Sequence, residues 1–292
     1  MKQGDLVVRK SYGGDVLFRV EDARTHNAVL LKGTDYRLLA DAPIPDLSVV
    51  RDPESTRAVQ QVRIKVNESL RKMHTDRERQ ALDTEEAFRL AQQQQQNAHY
   101  FEVPGKVLHL DGDGNYLKKS MQLYNTMHVP AHGLHIHESQ MADVLYRLLP
   151  QIKPDIVVIT GHDGVLKHRN PNEIYSLTSY KNSQNFVNAV RVAREYEKNR
   201  DGLIVVAGAC QSHFEALLQA GSNFASSPGR ILIHALDPVY IAIKASYTSI
   251  RDAINLPDVI HGTISGIDGV GGIETMGRYR VGLPKPKVTS TQ

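Results

Sequence analysis

From Val103 onward, short apolar runs alternate with helical segments, and this alternation limits the fold more than any other feature of the chain. Lys106–Leu110, Gly133–His137, Asp155–Thr160, Leu203–Ala207 and Arg230–Leu236 read as strands, rich in Val, Ile and Leu. Between and after them, Tyr116–Met127, Met141–Leu149, Asn185–Asn199, Phe214–Gln219 and Val239–Ile254 read as helices. Strand–helix repetition of this kind builds an α/β fold, a parallel sheet with helices on both faces. The Gly-rich tail from Val259 to Gly282 reads as irregular or hairpin structure.

Two segments of different character precede that unit. Residues 1–50 carry short strands and turn signals: Leu6–Val8 and Val16–Val20 flank Ser11–Asp15, a hairpin pattern, and Val29–Leu31 and Tyr36–Leu39 flank a Gly33–Asp35 turn. The expectation is a small SH3-like β-barrel. Residues 51–99 are charged and Gln-rich, with Val59, Val62, Val66, Leu70 and Met73 at spacings of three and four, which predicts one or two long helices linking the flanking domains. The α/β domain is then expected over 100–292.

The chain has 292 residues, enough for about two domains, and a formal net charge of only +3. A dedicated nucleic-acid binder carries a much stronger basic patch, so nucleic acid is not an expected partner. Lys2, Arg9, Lys10 and Arg19 of the N-terminal segment read better as docking or packing residues. A single cysteine leaves no internal disulfide and no Cys-based metal cluster, and fits a reducing compartment. No run approaches the roughly 20 apolar residues of a membrane span, and Met1–Lys10 lacks the apolar stretch of a signal peptide. A soluble, cytoplasmic chain is expected.

That one cysteine, Cys210, follows the apolar run Leu203–Ala209, and His162 follows the near-twin run Asp155–Gly161. Residues just past the carboxyl ends of parallel strands face a common crevice. The separation of 48 residues between His162 and Cys210 leaves room for one crossover helix between neighbouring strands. A thiol nucleophile and an imidazole base need this kind of delivery. Most lone cysteines are small buried hydrophobes. Here Ser212 can cap a helix starting at His213, and a thiol near a helix N-terminus has a lowered pKa. Backbone N–H groups of Cys210 and of Asp163 or Gly164 are the expected oxyanion donors.

Gly208-Ala209-Cys210-Gln211-Ser212, with His162-Asp163-Gly164 upstream, resembles the caspase-like (clan CD) cysteine peptidases, where Ala-Cys follows a histidine about 50 residues earlier. Asp163 departs from the pattern by separating the histidine from the glycine. Over its whole length, including Thr160–Gly164 and Ala207–Ser212, the chain is similar to the YabG family of sporulation-specific peptidases of spore-forming bacteria. That resemblance implies a caspase-like fold and an enzyme made in the mother cell that associates with the forming spore coat. It also implies a cysteine endopeptidase that cleaves after arginine and matures spore coat and cortex-associated proteins. No cofactor is implied. An arginine pocket needs a carboxylate for bidentate pairing, and Asp111, Asp113 and Asp237 stand at expected strand ends. As ordinary turn or helix-cap residues the same three need no function. Arg71-Lys72 and Arg77-Glu78-Arg79 are candidate self-cleavage sites.

Two competing readings carry different chemistry. His135 and His137, on one face of an expected strand, with His132, Glu138, His162, His234 and Asp237, sketch a metal-dependent hydrolase; a (β/α) barrel would need eight units, and about five are present. A non-enzymatic spore-coat scaffold is the other. Gly266–Gly272 resembles a phosphate loop but lacks Lys-Ser/Thr, so a substrate-contacting loop is expected there.

Overall fold

The computed structural model describes residues 1–22, 28–91, 100–166 and 173–283. It begins with β1 (Leu6–Arg9), β2 (Leu17–Asp22), β3 (Ala28–Gly33), β4 (Leu39–Pro43) and β5 (Leu47–Val49). These form an antiparallel five-stranded sheet in the order β4-β3-β2-β1-β5. Val7, Phe18, Val20, Val29, Leu31 and Leu47 fill its core. The hairpin read around Ser11–Asp15 is present, Leu6 pairing with Arg19 and Val8 with Leu17. The strand expected at Tyr36–Leu39 is displaced: β4 starts at Leu39, and Tyr36 pairs with His234 instead.

Helix α1 (Arg57–Ala91) is one continuous helix of 35 residues. Its stripe is narrow: among the described side chains, Val66, Leu70 and Met73 reach the large core. Ion pairs hold the rest: Lys72 to Asp258, Asp76 to Lys244, each at 2.6 Å, and Arg77 to Glu102.

The remaining elements are β6 (Phe101–Val103), β7 (Val107–Asp111), α2 (Gly114–Thr126), β8 (Ala131–His135), α3 (Met141–Ile152), β9 (Ile156–Thr160), α4 (Ser183–Tyr196), β10 (Ile204–Ala207), α5 (Phe214–Ala220), β11 (Phe224–Ser226), α6 (Asp237–Tyr247), α7 (Leu256–His261), α8 (Gly266–Gly269), β12 (Val270–Gly272) and β13 (Arg280–Gly282). Six strands make a mixed sheet in the order β12-β11-β10-β9-β7-β8, parallel throughout except for the β11–β12 pair. Strand residues alternate between faces, as their period of two requires. Val107, Ile156, Val158, Ile204 and Val206 meet α2, α6 and the α1 stripe. Leu108, Leu110, Val157, Ile159, Val205 and Ala207 meet α3, α4 and α5. The chain is therefore an α/β protein, a mostly parallel sheet flanked by helices behind an N-terminal antiparallel sheet.

The expected fifth strand, Arg230–Leu236, is wrong. The strand at that place in the sheet is Phe224–Ser226, three residues long and too short to show a period. Ser227 and Arg230 have positive φ (64° and 55°), which turns the chain out of the sheet around Pro228-Gly229. In the apolar run that follows, Leu232 packs on the N-terminal sheet, while Ile233 and Ala235 are buried and bonded through their backbones to Arg37 and Asp35. Asp237 therefore opens helix α6 rather than ending a strand. The tail is more regular than expected, contributing α7, α8, β12 and β13, and Gly266–Gly272 supplies α8 and the antiparallel edge strand instead of a loop. Among the described residues no helix is long and apolar enough to cross a membrane.

Candidate active site

Strands β9 and β10 are parallel neighbours in register from Ile156–Ile204 to Ile159–Ala207. His162 and Cys210 thus leave adjacent strands at matching heights. Past the strands the two loops stay bonded: Gly208 N–H donates to Ile159 O at 3.0 Å, and Thr160 Oγ1 donates to Gly208 O at 2.9 Å. Gly208 has φ +107°, a region that favours glycine, and a Cβ there would lie 2.9 Å from Leu217. Gln211 also has positive φ, 54°, so Cys210 sits inside a sharp, constrained turn.

Asp163 ties the loops together. Its carboxylate accepts from Gly164 N–H at 2.9 Å, Asn182 N–H at 2.8 Å and Ser212 Oγ at 2.9 Å, and from Ser183 Oγ at the start of α4. Burial pushes its carboxyl above the ordinary value, against the pull of those donors. The Gly164 N–H, expected as an oxyanion donor, is thus engaged by the preceding side chain. Among the described residues, the N–H groups of Cys210 and Asp163 have no hydrogen-bond partner. Ser212 does not cap α5 as expected. Its hydroxyl bridges Ala209 N–H and Asp163, and the His213 ring accepts from Ala216 N–H in its place.

The thiol is completely buried. Its sulfur accepts from Ile233 N–H at 3.1 Å and lies 3.7 Å from Ile233 O. Burial pushes the thiol pKa up to about 12, although the Ile233 N–H and Arg37 pull it down. The expectation of a lowered value is overturned because α5 begins four residues later, at Phe214, and water is excluded. Among the described residues no hydrogen bond joins the thiol to His162.

Two carboxylates flank the His162 ring. Asp113 Oδ2 lies 3.5 Å from Nε2 and Glu138 Oε1 lies 3.9 Å from Nδ1, while Tyr116 packs at 5.8 Å between ring centroids. Nε2 is buried without a hydrogen-bond partner. Burial lowers the imidazole pKa, and Asp113 and Glu138 act in the opposite direction. Glu138 also accepts from the His162 backbone N–H at 2.8 Å. A Cβ on Gly161 would approach its Oε1 to 2.4 Å, and one on Gly112 to 2.1 Å, so two glycines make room for this carboxylate. Sequence reasoning grouped Glu138 only with metal ligands and missed this support.

The three candidate arginine carboxylates are separated by their partners. Asp111 is fully buried and pairs with Arg37 Nη1 at 2.9 Å. Burial alone would raise its carboxyl, but Arg37 and His109 hold it well below the usual carboxylate range. Asp113 caps α2, accepting from Asn115 and Tyr116 N–H, and pairs with Lys32. Asp237 is buried and accepts from Ile264 N–H at 2.8 Å and His234 N–H at 3.2 Å; burial pushes its carboxyl up to about 6. Sequence reasoning had no signal for Lys32 and Arg37, which come from the N-terminal sheet and its β3–β4 hairpin.

His135 ends β8, and His137 lies beyond it, hydrogen-bonded to Ser139 Oγ at 2.9 Å. Among the described residues no three His, Cys, Asp or Glu side chains converge as a metal site. His234 is buried, its imidazole pKa lowered to about 4 by burial, and Nδ1 accepts from Leu236 N–H.

Comparison with known proteins supplies the family. The model of the YabG peptidase U57 family matches residues 2–284. The sporulation-specific protease YabG of Bacillus subtilis (strain 168) is 43% identical over 285 residues, covering 96% of this chain and 97% of the relative. No solved structure matches. A family model spanning nearly the whole chain, with a relative aligned along almost its full length, shows that this protein belongs to the YabG peptidase family.

Proposed function

We propose that this peptidase is an arginine-directed cysteine endopeptidase that processes spore coat and cortex-associated proteins during sporulation. The carrying observation is the matched exit of His162 and Cys210 from neighbouring parallel strands, cross-tied by Asp163 and Ser212. In the reaction the Cys210 thiol loses its proton to His162, and the sulfur bonds to the scissile carbonyl carbon. The Cys210 and Asp163 N–H groups receive the oxyanion. His162 then protonates the departing amine as the C–N bond breaks. Water cleaves the resulting thioester, which restores the thiol. Asp113 and Glu138 hold the imidazole and favour its charged form. The sporulation setting is supported by the name of the Bacillus subtilis relative, a sporulation-specific protease. Mother-cell synthesis and association with the forming coat belong to the same reading.

The test is incubation of wild type and Cys210→Ala with coat-protein extract, with and without a chelator. Loss of cleavage in Cys210→Ala, with no effect of the chelator, is expected. Cleavage by Cys210→Ala that a chelator stops would overturn the thiol mechanism in favour of the His135/His137 metal reading. Binding of coat proteins without cleavage by either form would point to a scaffold.

A further inference from the structure

The hairpin between β3 and β4 inserts its tip into the α/β unit beside Cys210. Asp35, Tyr36 and Arg37 run antiparallel to Ile233–Ala235: Ala235 N–H donates to Asp35 O at 2.7 Å, and Arg37 N–H donates to Ile233 O at 3.2 Å. Tyr36 and His234 form the antiparallel bridge between them. Extended peptides pair through antiparallel backbone bonds of this kind, which give affinity while side chains give specificity.

Arg37 closes that pairing. It is fully buried, with Nη1 on Asp111 Oδ1 at 2.9 Å, Nη2 on Ala235 O at 3.0 Å, and its guanidinium carbon 5.1 Å from the Tyr116 ring centroid. Ile233, which receives the Arg37 N–H, also donates its own N–H to the Cys210 sulfur. An ion pair that only glued two sheets together would need neither strand pairing nor a place against the thiol.

Two details distinguish this segment from a substrate. Leu38 N–H donates to Tyr36 O at 2.8 Å, so a three-residue turn carries the chain away directly after Arg37. A substrate would continue extended through the bond after its arginine. Arg37 Nε is also buried without a hydrogen-bond partner, and Asp111 Oδ2 has no hydrogen bond, His109 Nε2 lying 3.6 Å from it. The seat is incompletely used, and an incoming arginine that pairs bidentately with Asp111 has the advantage.

We infer that Ile233–Ala235 and Asp111 form the subsite for an arginyl peptide, and that Asp35–Arg37 fills it as an internal, substrate-like latch that keeps the enzyme at rest. This rests on the cysteine-peptidase reading for the identity of the displaced ligand. The arm is held from outside the cleft by Lys119, whose Nζ binds Thr34 O at 2.7 Å and Asp35 Oδ1 at 3.0 Å.

The test uses the full chain and its lone cysteine. Iodoacetamide alkylation of Cys210 at pH 8 is followed by intact mass in wild type, Arg37→Ala, Lys119→Ala and Asp111→Asn, with hydrolysis of a fluorogenic arginyl tripeptide amide measured in parallel. Near-ultraviolet circular dichroism checks each fold. Wild type should alkylate roughly a thousandfold more slowly than free cysteine, because a thiol of pKa about 12 holds so little thiolate. Arg37→Ala should alkylate at least about tenfold faster than wild type, and Lys119→Ala should move the same way by less. Asp111→Asn should alkylate faster yet hydrolyse the arginyl amide with a raised KM, since the latch and the substrate lose the same carboxylate. Should Arg37→Ala fail to fold, Lys119→Ala, altered at the surface, decides. Alkylation as slow in the folded variants as in wild type overturns the latch. Alkylation reports the latch without turnover, whereas arginyl-amide hydrolysis undiminished in Cys210→Ala would overturn the peptidase reading alone.

Discussion

At Asp163 one carboxylate gathers two backbone N–H groups and two serine hydroxyls from three separate segments: its own loop, the start of α4 and the Cys210 loop. In the sequence this residue looks like an interruption between a histidine and a glycine. In the fold it is the tether that holds the histidine loop against the cysteine loop. Replacement by alanine leaves buried donors unpaired, each costing about 1–3 kcal/mol before relaxation. Asp163→Ala should therefore lower the melting temperature and reduce kcat by more than it alters KM, because the substrate groove at Ile233–Ala235 lies on another segment. Thermal melting and steady-state kinetics check both. The position of Cys210 and His162 was legible from two apolar runs ending in glycine. The state of the thiol was not, because its burial and its bond to Ile233 depend on a segment beyond the strand that delivers it.

Among the elements, the turn after β8 performs a task invisible to periodicity. It carries Glu138 beneath the loops after β7 and β9, where Gly112 and Gly161 leave space, and aims one oxygen at the His162 backbone. Glu138→Gln keeps an acceptor for that N–H but removes a negative charge that raises the imidazole pKa. The sign follows directly: with less support for the charged ring, His162 titrates at lower pH. The limb of the kcat/KM pH profile that reports His162 should shift to lower pH in Glu138→Gln, with the fold unchanged by circular dichroism. Four of the five parallel strands and most helices were legible because their apolar periods run over several residues. Arg230–Leu236 misled because its apolar residues are buried without joining the sheet: Leu232 packs on the N-terminal sheet, and Ile233 and Ala235 bond to the β3–β4 hairpin.

Across the whole molecule, the N-terminal sheet is wedded to the cleft through charge. Lys32 and Arg37 neutralise Asp113 and Asp111, and the Tyr116 hydroxyl lies 2.6 Å from both the Gly33 and Tyr36 carbonyl oxygens. Helix α1 braces the α/β unit through its short apolar stripe, which packs with α2 and α6, and through ion pairs. The candidate self-cleavage sites at Arg71 and Arg77 lie within this continuous helix, and Arg77 is stacked 4.3 Å from the Tyr247 ring centroid. Cleavage there requires the helix to unwind first, because a groove that pairs with an extended strand cannot accept a helical backbone. The antiparallel sheet of the N-terminal segment was legible from turn chemistry. Its docking into the cleft was not, since a lone arginine in a hairpin tip gives no periodic signal.

In the proposed mechanism Cys210 forms the covalent bond to substrate. Its most direct test is acid quenching of the wild-type enzyme during turnover of an arginyl peptide ester, followed by mass analysis of the peptide containing Cys210. A thioester adduct of the arginyl acyl group on Cys210, which decays as product appears, is the expected result. Steady turnover with Cys210 unmodified at every quench time would rule out the thiol mechanism.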